Sequence, residues 1–239
     1  MEKEQIRRTI WDLMEERGIA RFPRPVQGRI PNFEGAAQAA ERLGELPAWK
    51  KARVVKANPD SPQRPARRLA LAQGKLVYMA VPRLREERCF LELNPKRLKG
   101  MEDQASSIKG AFRYGRLVAL EEMEKVDLIV AGSVGVNREG ARVGKAGGYS
   151  DLEYAIAREF GIVDEGTTTL TTVHPVQVVP YQIEMLRHDF PLDYIITPEG
   201  ITETRHRYPK PRGIYWDELG EEKIQAIPFL MKLKEQKGM

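Results

Sequence analysis

Residues 126–136, VDLIVAGSVGV, restrict this chain more than any other feature, because Asp127 is the one charge in a run of apolar and small side chains. A strand-length run of this kind is buried on both faces, the condition of a central strand in a parallel sheet covered by helices. The glycine-rich NREGARVGKAGGYSD follows, and LEYAIAREF at 152–160 then has helical periodicity up to Gly161. Strand, glycine loop and helix in that order form the local architecture of an anion site.

The rest of the chain alternates in the same way. Ile6, Ile10, Leu13 and Met14 predict a helix over 4–17 that stops at Gly18, and a second helix is expected from about Glu34 to Leu46. Between them, Pro23, Pro25 and Pro31 predict an excursion over the surface without regular structure. RVVKA, KLVYMAVP, CFLELNP and LDYIITP read as strands, and TLTTVHPVQVV as a strand pair or one strand bent at Pro175. Ser61-Pro62 supplies a cap and a first-turn proline for a helix ending at Gly74, and Pro228 should break the helical C-terminal stretch. The expected fold is α/β, a single domain over 1–239 with a largely parallel central sheet and helices on both faces. Residues 205–239 form an extension ending in a helix.

Charge is uneven. Residues 1–120 carry 25 Lys+Arg against 14 Asp+Glu, whereas 121–239 carry 14 against 20. A basic N-terminal half suits a nucleic acid, a nucleotide or a polycarboxylate substrate, or is merely a solvated surface. Cys89 is the single cysteine, so nothing pairs within the chain; with a charged amphipathic N-terminus and no membrane-length apolar run, a cytoplasmic protein without a membrane partner is expected.

Within the loop, Gly144, Gly147 and Gly148 flank Lys145 just before a helix start expected at Ser150 or Asp151. Backbone amides there can close on phosphate oxygens, with Lys145 and Arg142 adding charge. The usual phosphate loop is not matched: Gly140-x-x-x-Gly144-Lys145 is one residue short and Ala146 follows. A phosphate site and a plain connecting loop are both open. Asp151 is either a helix N-cap or a group that orients the loop or a magnesium-bound water. His174, His188 and His206 are too widely spaced to form a ligand cluster and read as hydrogen-bonded structural residues.

Three blocks, VDLIVAGSVGVNREGARVGKAGGYSD, VHPVQVV and HDFPLDYIITPEG, resemble the 5-formyltetrahydrofolate cyclo-ligase family, also called methenyltetrahydrofolate synthetases. Lys3-x-x-Ile6-Arg7 is similar to that family's basic N-terminal helix, and the likeness covers about residues 3–203. The sequence departs from the family pattern at Ala146, in place of a middle glycine, at Ser150, in place of a second tyrosine, and at Ala131-Gly132, in place of Pro-Gly. RFPRPVQGRIPNFEGA and NPDSPQRPAR look closer to the divergent methenyltetrahydrofolate synthase domain-containing branch.

The resemblance implies a fold of the NagB/RpiA/CoA-transferase type and ATP- and magnesium-dependent cyclisation of 5-formyltetrahydrofolate, with or without a polyglutamate tail, to 5,10-methenyltetrahydrofolate through a phosphorylated formyl intermediate. By motif match, Lys3, Arg7, Arg142, Gly144, Lys145, Gly147, Gly148 and Tyr149 would hold ATP, Asp151 and Asp189 the magnesium ion, and Asp60, Gln63 and Tyr149 the folate. The altered residues and the basic N-terminal half motivate an alternative, a nucleotide-binding or RNA-associated protein of the same fold without cyclo-ligase activity; an ATP-dependent ligase acting on another pterin or formyl compound is the remaining reading.

Overall fold

Two-sided burial of the central strands decides the architecture. The computed structural model describes residues 1–84 and 88–238. The chain begins with α1 (Lys3–Glu16), β1 (Ala20–Arg21), β2 (Asn32–Phe33), α2 (Ala36–Glu41), α3 (Pro47–Lys51), β3 (Val54–Ala57) and α4 (Arg64–Ala72). It continues through β4 (Leu76–Ala80), β5 (Phe90–Leu93), α5 (Glu102–Ala105), α6 (Ile108–Tyr114), β6 (Arg116–Val118), β7 (Leu128–Ala131), β8 (Gly135–Asn137) and β9 (Arg142–Val143). The remainder is α7 (Tyr149–Glu159), β10 (Thr168–Thr172), β11 (Val178–Val179), β12 (Tyr194–Ile196), β13 (Ile201–Glu203), α8 (Glu221–Gln225) and α9 (Pro228–Gln236).

The large sheet has the strand order β13-β12-β10-β7-β3-β4-β5-β6. Strands β12, β10, β7, β3 and β4 are parallel, and antiparallel β13 closes one edge while β5 and β6 close the other. Successive side chains of β7 point to opposite faces: Leu128 and Val130 join one core cluster, Ile129 and Ala131 the other. Ile6, Ile10, Ala40 and Ala70 from α1, α2 and α4 cover the first face, and Leu152, Ile156 and Leu230 from α7 and α9 cover the second. The expected α/β layering with a largely parallel sheet is what forms.

Several expectations are corrected in detail. The run 126–136 is not one strand: β7 ends at Ala131, and β8 belongs to a separate three-stranded sheet, β11-β8-β9. The chain turns at Gly132, where a Cβ would lie 3.0 Å from Ile30 Cγ1, 3.1 Å from Gln63 Oε1 and 3.2 Å from Asp60 Oδ2. TLTTVHPVQVV divides likewise, with β10 in the large sheet, a 3-10 turn over Pro175–Gln177, and β11 in the small one. Gln177 ties the two departures together by donating Nε2 to the carbonyls of Ser133 and Val134, both at 3.0 Å.

The helix expected over 34–46 is α2 followed by a 3-10 turn, Arg42–Glu45, because Gly44 weakens it and Pro47 starts a new helix, α3. The stretch after Gly18 is not wholly irregular, since β1 and β2 pair antiparallel with Ala20 opposite Phe33, both buried. In α1, Leu13 is only partly buried, and Trp11 takes the core place, its Nε1 donating to the Arg29 carbonyl at 3.0 Å. Ser61 caps nothing: a 3-10 turn over Ser61–Gln63 precedes α4. Pro228 divides α8 from α9 as expected.

Candidate functional site

The parallel strands end on one side of the sheet, and the loops that leave them there carry the charged residues singled out in the sequence. Beyond β3, Asn58 to Gln63 form a turn held from beneath by Arg67 of α4, which is 1% exposed. Its guanidinium donates to the carbonyls of Asn58, Pro59 and Asp60 and, through Nε, to that of Ser106 at 2.8 Å. Burial pulls its pKa below the usual arginine range, against the opposing charge of Asp60. Arg67 lies on the apolar stripe of α4 with Ala70 and Leu71, at helical spacings of three and four, and a charge in such a stripe is the signal that could have flagged it.

The glycine loop faces this turn. Ala146, Gly147 and Gly148 have φ of +83°, +84° and +62°, three left-handed residues in succession leading into α7. Gly148 is the helix N-cap, so α7 begins at Tyr149, before the expected Ser150 or Asp151. Asp151 is therefore not the cap but sits within the first turn, where a carboxylate favours the helix dipole. Glycine at 146 would relieve a conformation that costs an L-residue about 1–2 kcal/mol, offset in part by the extra freedom of the unfolded chain. Ala146→Gly is expected to stabilise the protein by about 0.5–1 kcal/mol, a melting temperature raised by about 2 °C in calorimetry; an unchanged or lower value would mean that the alanine is unstrained.

Arg142, 4% exposed, links the loop to both sides. Nη1 donates to the Gly132 carbonyl at 3.0 Å, Nη2 to Asp151 Oδ1 at 2.6 Å, and the guanidinium lies 4.6 Å from the Phe190 ring centre. Asp151 Oδ1 also accepts from the Phe190 amide at 3.4 Å, which brings the neighbouring Asp189 to the same place. Asp189 Oδ2 accepts from the Leu186 amide at 2.7 Å and pairs with Lys3 of α1. Arg7, one turn further along α1, donates Nε to the Gly144 carbonyl at 2.7 Å. Lys145 bonds Asp60 Oδ1 at 2.5 Å, closing the constellation onto the turn after β3. Tyr149 packs beside the loop, its Cε2 3.1 Å from where a Cβ on Gly147 would stand.

The candidate residues thus meet in one place, at the carboxyl ends of the parallel strands. Gln63 is wholly buried there, and its Oε1 has no hydrogen-bond partner among the described residues. Among the described residues, no group of three or more His, Cys, Asp and Glu side chains is arranged to hold a metal. The donor set of Asp151 and Asp189 fits an ion that takes one or two carboxylates and completes its shell with ligand oxygens and water, as magnesium does.

The histidines serve elsewhere. His174 caps the 3-10 turn, its Nδ1 accepting from the Val176 amide at 3.2 Å; His206 Nε2 meets Asp193 Oδ1 at 2.9 Å; His188 bonds Glu218. A cleft of about 650 Å³ opens beside the small sheet, between Arg138, Tyr181 and the β12–β13 turn. None of the candidate residues lines it. Sequence reading also missed Lys56 and Glu153, an ion pair behind Asn58 with side chains 2% and 5% exposed, and Lys223 of α8, which reaches the glycine loop.

The family model described as the 5-formyltetrahydrofolate cyclo-ligase family matches residues 1–198. The methenyltetrahydrofolate synthase domain-containing protein of Mus musculus is 43% identical over 237 residues, 98% of this chain, and that of Bos taurus 42% over the same number. The chain spans 63% and 62% of the lengths of those two relatives. Among solved structures, the 5,10-methenyltetrahydrofolate synthetase of Aquifex aeolicus superposes with a TM-score of 0.52 and 17% identity, covering 92% of this chain and 100% of that one, a likeness of fold.

Proposed function

Since this chain belongs to the 5-formyltetrahydrofolate cyclo-ligase family, we propose that it closes 5-formyltetrahydrofolate to 5,10-methenyltetrahydrofolate at the expense of ATP. The observation that carries the reading is the glycine loop itself. Among the described residues, no backbone hydrogen bond is donated by the amides of Lys145, Ala146, Gly147 or Gly148. These donors open beside Lys3, Arg7, Arg142 and Lys145 and before the N-terminus of α7, which is what a triphosphate requires.

The chemistry needs no nucleophile from the protein. The formyl oxygen attacks the γ-phosphorus of ATP, ADP leaves, and the neighbouring folate nitrogen adds to the activated formyl carbon; loss of that nitrogen's proton and of phosphate completes the ring. The protein holds the two reactants in line and neutralises phosphoryl charge, so catalysis is positioning and electrostatics. Lys145 and the loop amides would take the phosphate oxygens, with Arg7 and Arg142 fixing the loop from behind. Asp151 and Asp189 would hold magnesium, whose charge screens the phosphates. Asp60, whose side chain keeps some access to solvent, would accept from a pterin N–H.

The test mixes the purified protein with 5-formyltetrahydrofolate, ATP and magnesium and follows the near-ultraviolet absorbance of the methenyl product. ATP-dependent product is expected. No product, with MgATP still raising the melting temperature, would reject the cyclo-ligase and leave a nucleotide-binding protein of the same fold. Ala146 in the loop favours that second reading, since it stands in a left-handed position where the family pattern has glycine. RNA binding would show itself by an affinity falling steeply with salt.

A further inference from the structure

The C-terminal segment lies outside the matched residues 1–198, yet one of its side chains enters the site. Lys223 of α8 donates Nζ to the Gly147 carbonyl, stands 5.1 Å from the Tyr149 ring centre, and lies 3.2 Å from where a Cβ on Gly148 would be. Its backbone is anchored: Ile224 next to it is 3% exposed, and Ile227, Leu230 and Leu233 join the core cluster that holds Leu152 and Ile156 of α7. A second tether lies upstream, where Asp217 and Glu218 pair with Arg187 and Glu218 bonds His188, next to Asp189. Burial draws the Lys223 ammonium below the usual lysine range, against the pull of Asp151. Half-buried, with its Nζ on a loop carbonyl, the ammonium is part of the loop's surroundings.

A trans peptide unit holds its C=O and N–H in opposite directions. A cation that fixes the Gly147 carbonyl therefore fixes the Gly148 amide, aimed away from Lys223. The other end of the loop is held by the same device, since Arg7 Nε on the Gly144 carbonyl fixes the amide of Lys145. We propose that Lys223 is a positioning residue for phosphate binding: with Arg7 it clamps the loop by its carbonyls so that the Lys145 and Gly148 amides face the nucleotide. The proposal rests on the reading of the loop as the phosphate site.

Calorimetric titration of MgATP into the wild-type chain, Lys223→Met, Lys223→Arg and Lys145→Ala, with the unliganded melting temperature of each, tests it. Loss of one charge-assisted hydrogen bond that organises the loop should weaken MgATP about tenfold in Lys223→Met, with Lys223→Arg within about threefold of wild type. The unliganded melting temperature of Lys223→Met should stay within about 2 °C of wild type, because a half-buried surface contact carries little stability. Wild-type affinity in Lys223→Met beside a weakened Lys145→Ala would overturn the proposal and leave the phosphate reading standing. If Lys223→Met melts well below wild type and Lys223→Arg restores the melting temperature without restoring affinity, the lysine is a structural strap and the proposal is wrong. A wild type that takes up no MgATP removes the phosphate reading and this one with it.

Discussion

Lys145→Ala should lower ATP-dependent turnover at least a hundredfold, about 3 kcal/mol of transition-state stabilisation, the effect of removing one donor aimed at developing phosphoryl charge. Stability should hardly change. The Lys145 side chain is 42% exposed, and its bond to Asp60 is an exposed ion pair of the kind worth about 0–1 kcal/mol. Kinetics over a range of ATP concentrations, with a denaturation curve on the same preparation, separate the two effects. Turnover at the wild-type level would remove Lys145 from the phosphate site, and a variant that unfolds would make the residue structural. Asp60→Asn is the companion, since it frees the lysine without removing it; it should leave ATP affinity intact and disturb only the folate side.

The largest effect on stability is expected at Lys56. Its ammonium and the Glu153 carboxylate are paired with almost no access to water, and Asn58 Nδ2 adds a bond to the same carboxylate oxygen at 3.3 Å. Lys56→Met leaves that carboxylate buried and uncompensated, a change that costs about 3–5 kcal/mol and lowers the melting temperature by about 10 °C. The double variant Lys56→Met/Glu153→Leu should recover most of the loss, because removing both charges also removes the desolvation penalty. A thermal double-mutant cycle with a coupling below about 0.5 kcal/mol would show that the pair is hydrated and that each charge acts alone.

The fold was legible where burial imposes a pattern on the residues. VDLIVAGSVGV was readable as sheet because every position in it but Asp127 is buried, but for the same reason its division at Gly132 was not: an apolar run carries no mark of which sheet each half joins. The edge strands β6 and β13, three residues each, are too short to show a period. Asp151 misled because aspartate is a preferred cap, whereas Gly148, at φ +62°, already performs that task before Tyr149. Lys56 and Glu153 could have been found, since each interrupts a run that is otherwise buried, VVKA and LEYAIA, and two opposite charges inside a core must meet. Lys223 could not. Nothing in EEKIQ distinguishes it from a solvated lysine, and only the packing of α8 and α9 against α7 carries it to the loop.

That loop is fastened by residues far from it in sequence on both sides. Arg7 reaches it across 137 residues of sequence and Lys223 returns to it across 76, while Lys3 joins Asp189 beside it across 186. Contacts so far apart close last as a chain folds, since each must wait for the intervening residues to order. On the ribosome, the glycine loop would emerge ahead of Lys223 by 76 residues and stay unset until the residues around Lys223 had cleared the exit tunnel. A nascent chain stopped short of that point would already carry the matched residues 1–198 and still lack the hold of Lys223 on the loop, so that synthesis of α8 would be the step that completes the proposed site.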